Sequence, residues 1–118
     1  MPEDPSKNTI QFTLEFKRNL RNLSKKYRHI RDDVEPVISE LQKGHLLGNR
    51  VPGIGHAIYK VRVPNRDRSK GKSGGYRIIY YLKTVVEIVL ITIYSKTEQA
   101  DVSAARVRDI VNAFQKNE

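Results

Sequence analysis

From Val85 to Tyr94 the chain is apolar at almost every position, and only Glu87 and Thr92 interrupt the run. The stretch is strand-sized, and a strand that is apolar on both faces belongs in the centre of a sheet, covered on both sides. The rest of the chain must therefore supply neighbouring strands and two covering layers.

Two candidate strands precede this run. In Ala57–Val63 the residues Ala57, Tyr59, Val61 and Val63 share one face, and Ile58, Lys60 and Arg62 share the other. In Tyr76–Leu82, Tyr76, Ile78, Tyr80 and Leu82 share a face expected to be core, with Arg77, Ile79 and Tyr81 opposite. Lys83-Thr84 is predicted to form a tight hairpin turn into Val85. A shorter alternation at Ile10, Phe12 and Leu14 predicts a fourth strand.

The covering layers are helical. Phe16, Leu20, Leu23 and Tyr27 fall on one helical stripe, and Val34, Val37, Ile38 and Leu41 on a second. Asp32 or Asp33 is the expected cap of that second helix, because Pro36 is tolerated only in a first turn. Gly44 is its natural stop. Two helices joined by so short a link predict a hairpin. His45–His56, with four glycine or proline residues, reads as a loop. Val107, Ile110, Val111 and Phe114 mark a closing helix, for which Ser95 with Glu98, or Asp101, offers a cap. The expectation is one α+β domain over residues 1–118. It has a small, mostly antiparallel sheet of about four strands, an N-terminal helical hairpin and a C-terminal helix, with residues 1–8 as a flexible leader.

The formal net charge is +9, from 22 Lys and Arg against 13 Asp and Glu. A polyanionic partner follows: nucleic acid first, an acidic protein second, a membrane surface third. The charge is not evenly spread. Seven cations and one anion lie between Lys60 and Arg77, and the same balance holds between Glu15 and Arg31. The second run also fits a solvated helical face. There is no cysteine, which fits a reducing cytoplasm. The opening MPEDPSKNTI lacks the apolar core of a signal peptide, and no run approaches the roughly 20 residues of a membrane helix.

Several chemistries fit poorly. Gly71-Lys72-Ser73 is not a phosphate-binding loop, because Arg66 stands where its first glycine belongs and a strand, not a helix, follows. His29, His45 and His56 show no metal-ligand spacing, and neither paired carboxylates nor a serine-nucleophile constellation appears. No metal or other cofactor is expected. What remains is a cluster of lysine and arginine on a sheet face, with Tyr81 and Tyr94 close enough to stack on bases. Tyr94 fits packing against the last helix equally well.

These residues carry a resemblance. YKVRV, then GGYRIIYYL, then YSKTEQADVS resembles the RelE/ParE superfamily of toxins from toxin–antitoxin systems over about Phe12–Phe114. KGKSGGYR most resembles the HigB-like branch of RelE-type toxins. The resemblance implies a RelE-like fold and a cytoplasmic toxin with a cognate antitoxin partner. It also implies ribosome-dependent cutting of messenger RNA, a metal-independent endonuclease activity with no small-molecule cofactor and no membrane. A ParE-like gyrase inhibitor or a non-catalytic nucleic-acid binder is the alternative. By position, Lys60, Arg62, Arg77 and Lys96 match the family's catalytic cations. Thr97 and Ser103 stand where RelE-type toxins often carry an arginine and a tyrosine. Arg66, Arg68, Lys70 and Lys72 on the basic loop would supply cations in compensation, and Tyr94 the aromatic ring.

Such a site would cut RNA with the substrate's own 2′-hydroxyl as nucleophile. Arg77, helped by Arg62, would neutralise the transition-state charge, since a guanidinium holds two phosphate oxygens at once. Lys60, crowded by cations, is the hypothetical base. Lys72 or Lys96 is the acid or phosphate clamp, and Arg66, Arg68, Lys70, Tyr81 and Tyr94 would bind RNA.

Overall fold

The computed structural model describes residues 8–66 and 74–117. In chain order the elements are β1 (Thr9–Phe12), α1 (Leu14–Lys26), α2 (Ile30–Gln42), β2 (Asn49–Val51), β3 (Ile58–Val63), β4 (Tyr76–Thr84), β5 (Glu87–Ser95) and α3 (Ala104–Lys116). The five strands form one sheet in the order β1-β5-β4-β3-β2. β1 pairs with β5 in parallel, and every other pairing is antiparallel.

β5 is covered on both sides, as its sequence requires. Phe16 and Leu23 of α1, Tyr27 just after it, and Ile30, Val34 and Leu41 of α2 close over Val61, Val63, Tyr76, Ile78, Tyr80, Ile88, Leu90 and Ile93. On the opposite face Val107, Ile110 and Val111 of α3 close over Ile58, Ile79, Tyr81, Val89, Ile91 and Tyr94. Each such side chain contributes about 1.5–3 kcal/mol by leaving water.

Three boundaries differ from the sequence expectation. The sheet has five strands rather than four, because β2 lies inside the stretch read as a loop. Three residues are too few to show an alternation, and two of them are exposed. The β4–β5 turn is Val85-Val86, not Lys83-Thr84. Val85 is 86% exposed, and the Thr84 hydroxyl accepts from the Val86 amide at 3.3 Å. A turn held by that hydroxyl tolerates two apolar residues, so hydropathy misplaces it. Leu14 belongs to α1, not β1, and is exposed. The strand ends because Thr13 caps the helix, accepting from Phe16 N at 3.0 Å and donating to Ile91 O at 2.6 Å.

The helix caps also differ. α2 begins at Ile30 after His29, which makes no side-chain cap bond, so Pro36 falls inside the helix and beyond its first turn. Asp33, offered as a cap, is instead buried in the first turn of α2. α3 is capped by Ser103, whose hydroxyl accepts from Arg106 N at 3.1 Å, and not by Ser95 or Asp101. Among the described residues no helix is long and apolar enough to cross a membrane.

Candidate functional site

The register of β3 against β4 creates the basic face. Arg62 stands directly opposite Arg77, and Lys60 opposite Ile79. Paired Cα atoms in an antiparallel ladder lie about 5 Å apart, so Lys60, Arg62 and Arg77 share one end of the face that α3 only partly covers. Like charges placed directly opposite destabilise a sheet. Arg77 offsets part of this by donating to the carbonyls of Tyr76 and Gly74 at 3.2 and 3.4 Å.

Two glycines hold this corner in place. Gly75 has φ of +87°, and a Cβ there would lie 2.5 Å from Val63 O. That close approach joins the end of β3 to the start of β4 beside the Arg62–Arg77 pair. Gly48 has φ of +83°, and a Cβ there would lie 2.2 Å from Lys60 O. The backbone carrying Lys60 is therefore braced from behind. Lys96 follows β5, its amide donating to Gly75 O at 2.9 Å and its ammonium to Ala100 O at 2.7 Å. It joins the same corner.

The other expected site residues part company. Arg68, Lys70 and Lys72 lie outside the described residues. Arg66 turns to the opposite layer: its Nε lies 3.2 Å from Asp33 Oδ1 on α2, and its amide donates to Asp33 Oδ2 at 3.3 Å. The Asp33 side chain is fully buried and Arg66 serves as its counter-charge, while the Arg66 side chain itself stays 66% exposed. Tyr81 shares the face of Arg77 but lies four residues along β4, about 13 Å away at the strand rise. Its ring packs edge-on to His56 with centroids 5.3 Å apart, and its hydroxyl accepts from Gln115 at 3.2 Å. Tyr94 is placed opposite Arg77, but its ring is 4% exposed and packed in the α3-side core. Neither tyrosine presents a free ring face for stacking on a base. The α3-packing alternative holds for Tyr94.

One residue of this corner escaped the sequence reading. Asp101 Oδ1 accepts from Lys60 Nζ at 2.7 Å, from Tyr94 OH at 3.2 Å and from the Val102 amide at 2.8 Å. The hydrogen bond from the Lys60 ammonium holds the Asp101 carboxyl below its usual range. Burial, reinforced by the Asp101 charge and opposed by Arg77, pushes the Tyr94 phenol up to about 12. The nearest charge to Lys60 is thus an anion, not the crowd of cations on which its role as a base depends. Nothing in the sequence ties Lys60 to a residue 41 positions away. The only signal is a single acidic residue in the QADVS segment, which reads equally well as a cap.

Beside Lys60 and Asp101 a cleft of about 250 Å³ opens between β3 and the start of α3, floored by Ile58, Ile79 and Val107. Among the described residues no three His, Asp or Glu side chains are grouped as metal ligands would be.

The molecule is thus an α+β protein with a five-stranded mixed sheet between α1 and α2 on one face and α3 on the other, carrying a basic corner on its α3 side. This is the RelE-like fold. A double arginine-to-alanine mutant of the E. coli toxin RelE, in the free state, superimposes with a TM-score of 0.53 at 18% identity, over 79% of this chain and 87% of that one. No protein-family model matches the sequence.

Proposed function

We propose that this protein is the toxin of a toxin–antitoxin pair, an endonuclease that cuts messenger RNA on the ribosome. The observation that supports it most is the register that sets Arg62 opposite Arg77 with Lys60 on the same face, at an end of a RelE-like sheet that also carries Lys96. Paired arginines there suit a group that gains negative charge as it reacts.

The cut proceeds by attack of a ribose 2′-oxygen on the adjacent phosphorus. The bond to the 5′-oxygen breaks, leaving a 2′,3′-cyclic phosphate and a 5′-hydroxyl. One proton leaves the attacking oxygen and one reaches the departing oxygen, so the step needs no metal. Arg77 and Arg62 stabilise the phosphorane oxygens, a contribution of about 10²–10³-fold for one well-placed donor. Lys60 can take the 2′-proton only as a free amine parted from Asp101, and Lys96 is assigned to the leaving group. Arg68, Lys70 and Lys72, which lie outside the described residues, are the further cations assigned to phosphate contact. The cognate antitoxin and the ribosome are the partners, and the site of action is the cytoplasm.

A specific observation favours a second reading, a toxin relative that binds without cutting or acts on gyrase. The two positions that depart from RelE-type toxins both have local structural roles. Ser103 caps α3, and the Thr97 hydroxyl is bonded to that of Ser95 at 3.0 Å.

The test is translation in a cell-free bacterial extract with primer extension on the message. Wild type is expected to produce cuts within codons only when ribosomes engage the message. Arg77→Ala should slow that cutting by about 10²–10³-fold. Translation that stops on intact message would establish the binder instead.

A further inference from the structure

We propose that Asp101 is the positioning residue of this corner, an internal anion that holds Lys60 until a substrate phosphate takes its place. The inference rests on the reading of the corner as an RNA site. Three donors converge on one carboxylate oxygen, and two of them, Lys60 and Tyr94, come from strands on either side of β4. Lys60 is paired with Asp101, whereas Arg77 and Lys96 donate to backbone carbonyls.

The arrangement resembles an occupied phosphate site. A carboxylate and a phosphate oxygen ask for the same partners: an ammonium, a hydroxyl and a backbone amide. Asp101 meets all three. Its side chain is 60% exposed and that of Lys60 is 30% exposed, so the pair is open to exchange with solvent and with a competing anion. An exposed pair of this kind is worth about 0.2–1 kcal/mol, little enough for a phosphate held by Arg62 and Arg77 to displace. Asp101 sits in the connector between β5 and α3, not on the sheet, so it can withdraw without disturbing the strand register.

Binding of short inorganic polyphosphate to the full chain, followed over a salt series, tests this without any need for cutting. Asp101→Asn keeps the size of the side chain and removes its charge. It is expected to bind polyphosphate about 1.4- to fivefold more tightly than wild type, the range of an exposed ion pair. The slope of log K against log salt should steepen, because wild type breaks the salt-screened Lys60–Asp101 pair on binding and Asp101→Asn has none to break. In a Lys60→Met background the same substitution should leave the slope unchanged. A purely structural role for Asp101 would move neither the slope nor its dependence on Lys60. As a check on geometry, the Tyr94 phenol should titrate below its wild-type value of about 12 in Asp101→Asn. Equal affinity and slope in wild type and Asp101→Asn would overturn the inference, as would an effect that persists without Lys60 or a failure of both proteins to bind. If the expected binding pattern appears in a protein that cuts no message, the inference stands and the nuclease reading falls.

Discussion

At the scale of single residues, the tyrosines show how a side chain's neighbours decide its chemistry. Tyr81 reads from sequence as a surface ring beside cations, and Tyr94 as either that or a ring against the last helix; both rings are core, and their hydroxyls reach polar partners. The consequence is visible at alkaline pH. The Tyr94 phenol has an ordinary value of 10.0, raised to about 12 in the folded chain. A raised value means that the neutral form is favoured in the native state. Its contribution to stability is complete below pH 10 and is lost as pH rises from about 10 through 12. Tyr80, pushed up by burial in the same direction, acts in that range too. Tyr94→Phe should therefore flatten part, not all, of the fall in urea midpoint over this window, while an unchanged slope would show that Asp101 and burial do not act on this phenol. Lys60 and Arg62 on β3 and Arg77 on β4 were legible because period-two alternation assigns faces without knowledge of partners, whereas Lys96, beyond the end of β5, came only from the family resemblance. Arg66 and Asp101 were not, since each is claimed by a residue far away in the chain, Asp33 in one case and Lys60 in the other.

At the scale of elements, β2 and its leading glycine brace the backbone of Lys60. β2 pairs Asn49 with Lys60 and Arg50 with Tyr59, and Tyr80 OH donates to Leu47 O just before it. Gly48 cannot carry a side chain there: its φ of +83° is unfavourable for any other residue, and a Cβ would overlap the Lys60 carbonyl at 2.2 Å. Gly48→Ala should lower stability by at least about 1–3 kcal/mol, the usual cost of a strained backbone position. It should also weaken polyphosphate binding. A denaturant midpoint equal to wild type would show that β2 yields without consequence. Sequence placed every long element on its correct stripe or face, because burial repeats along each of them. It missed β2, the Val85-Val86 turn and the start of α2. In those places one hydroxyl, three residues or a single proline sets the outcome, and no period exists to read.

At the scale of the whole molecule, one sheet separates two apolar layers, and β4 and β5 belong to both. Neither layer can open without exposing those strands, so unfolding should be a single cooperative transition. Ile30→Val under α2 and Ile110→Val under α3 should each shift the same urea midpoint, by about 0.5–1.5 kcal/mol in stability, with no change in m. Separate transitions, seen by probes on the two layers, would contradict it. The sequence by itself determined that this chain needs a central strand covered on both faces, helices on each side, and a basic run beginning on the strand before the loop. Those follow from the period of side-chain burial and from net charge, which are properties of local order along the chain. Only the tertiary structure decided that β1 runs parallel to β5, that Arg62 faces Arg77, that Arg66 is tied to a buried Asp33, and that Asp101 stands against Lys60. These are meetings between residues distant in sequence. Packing and pairing register fix them, and no local pattern in a single chain records them.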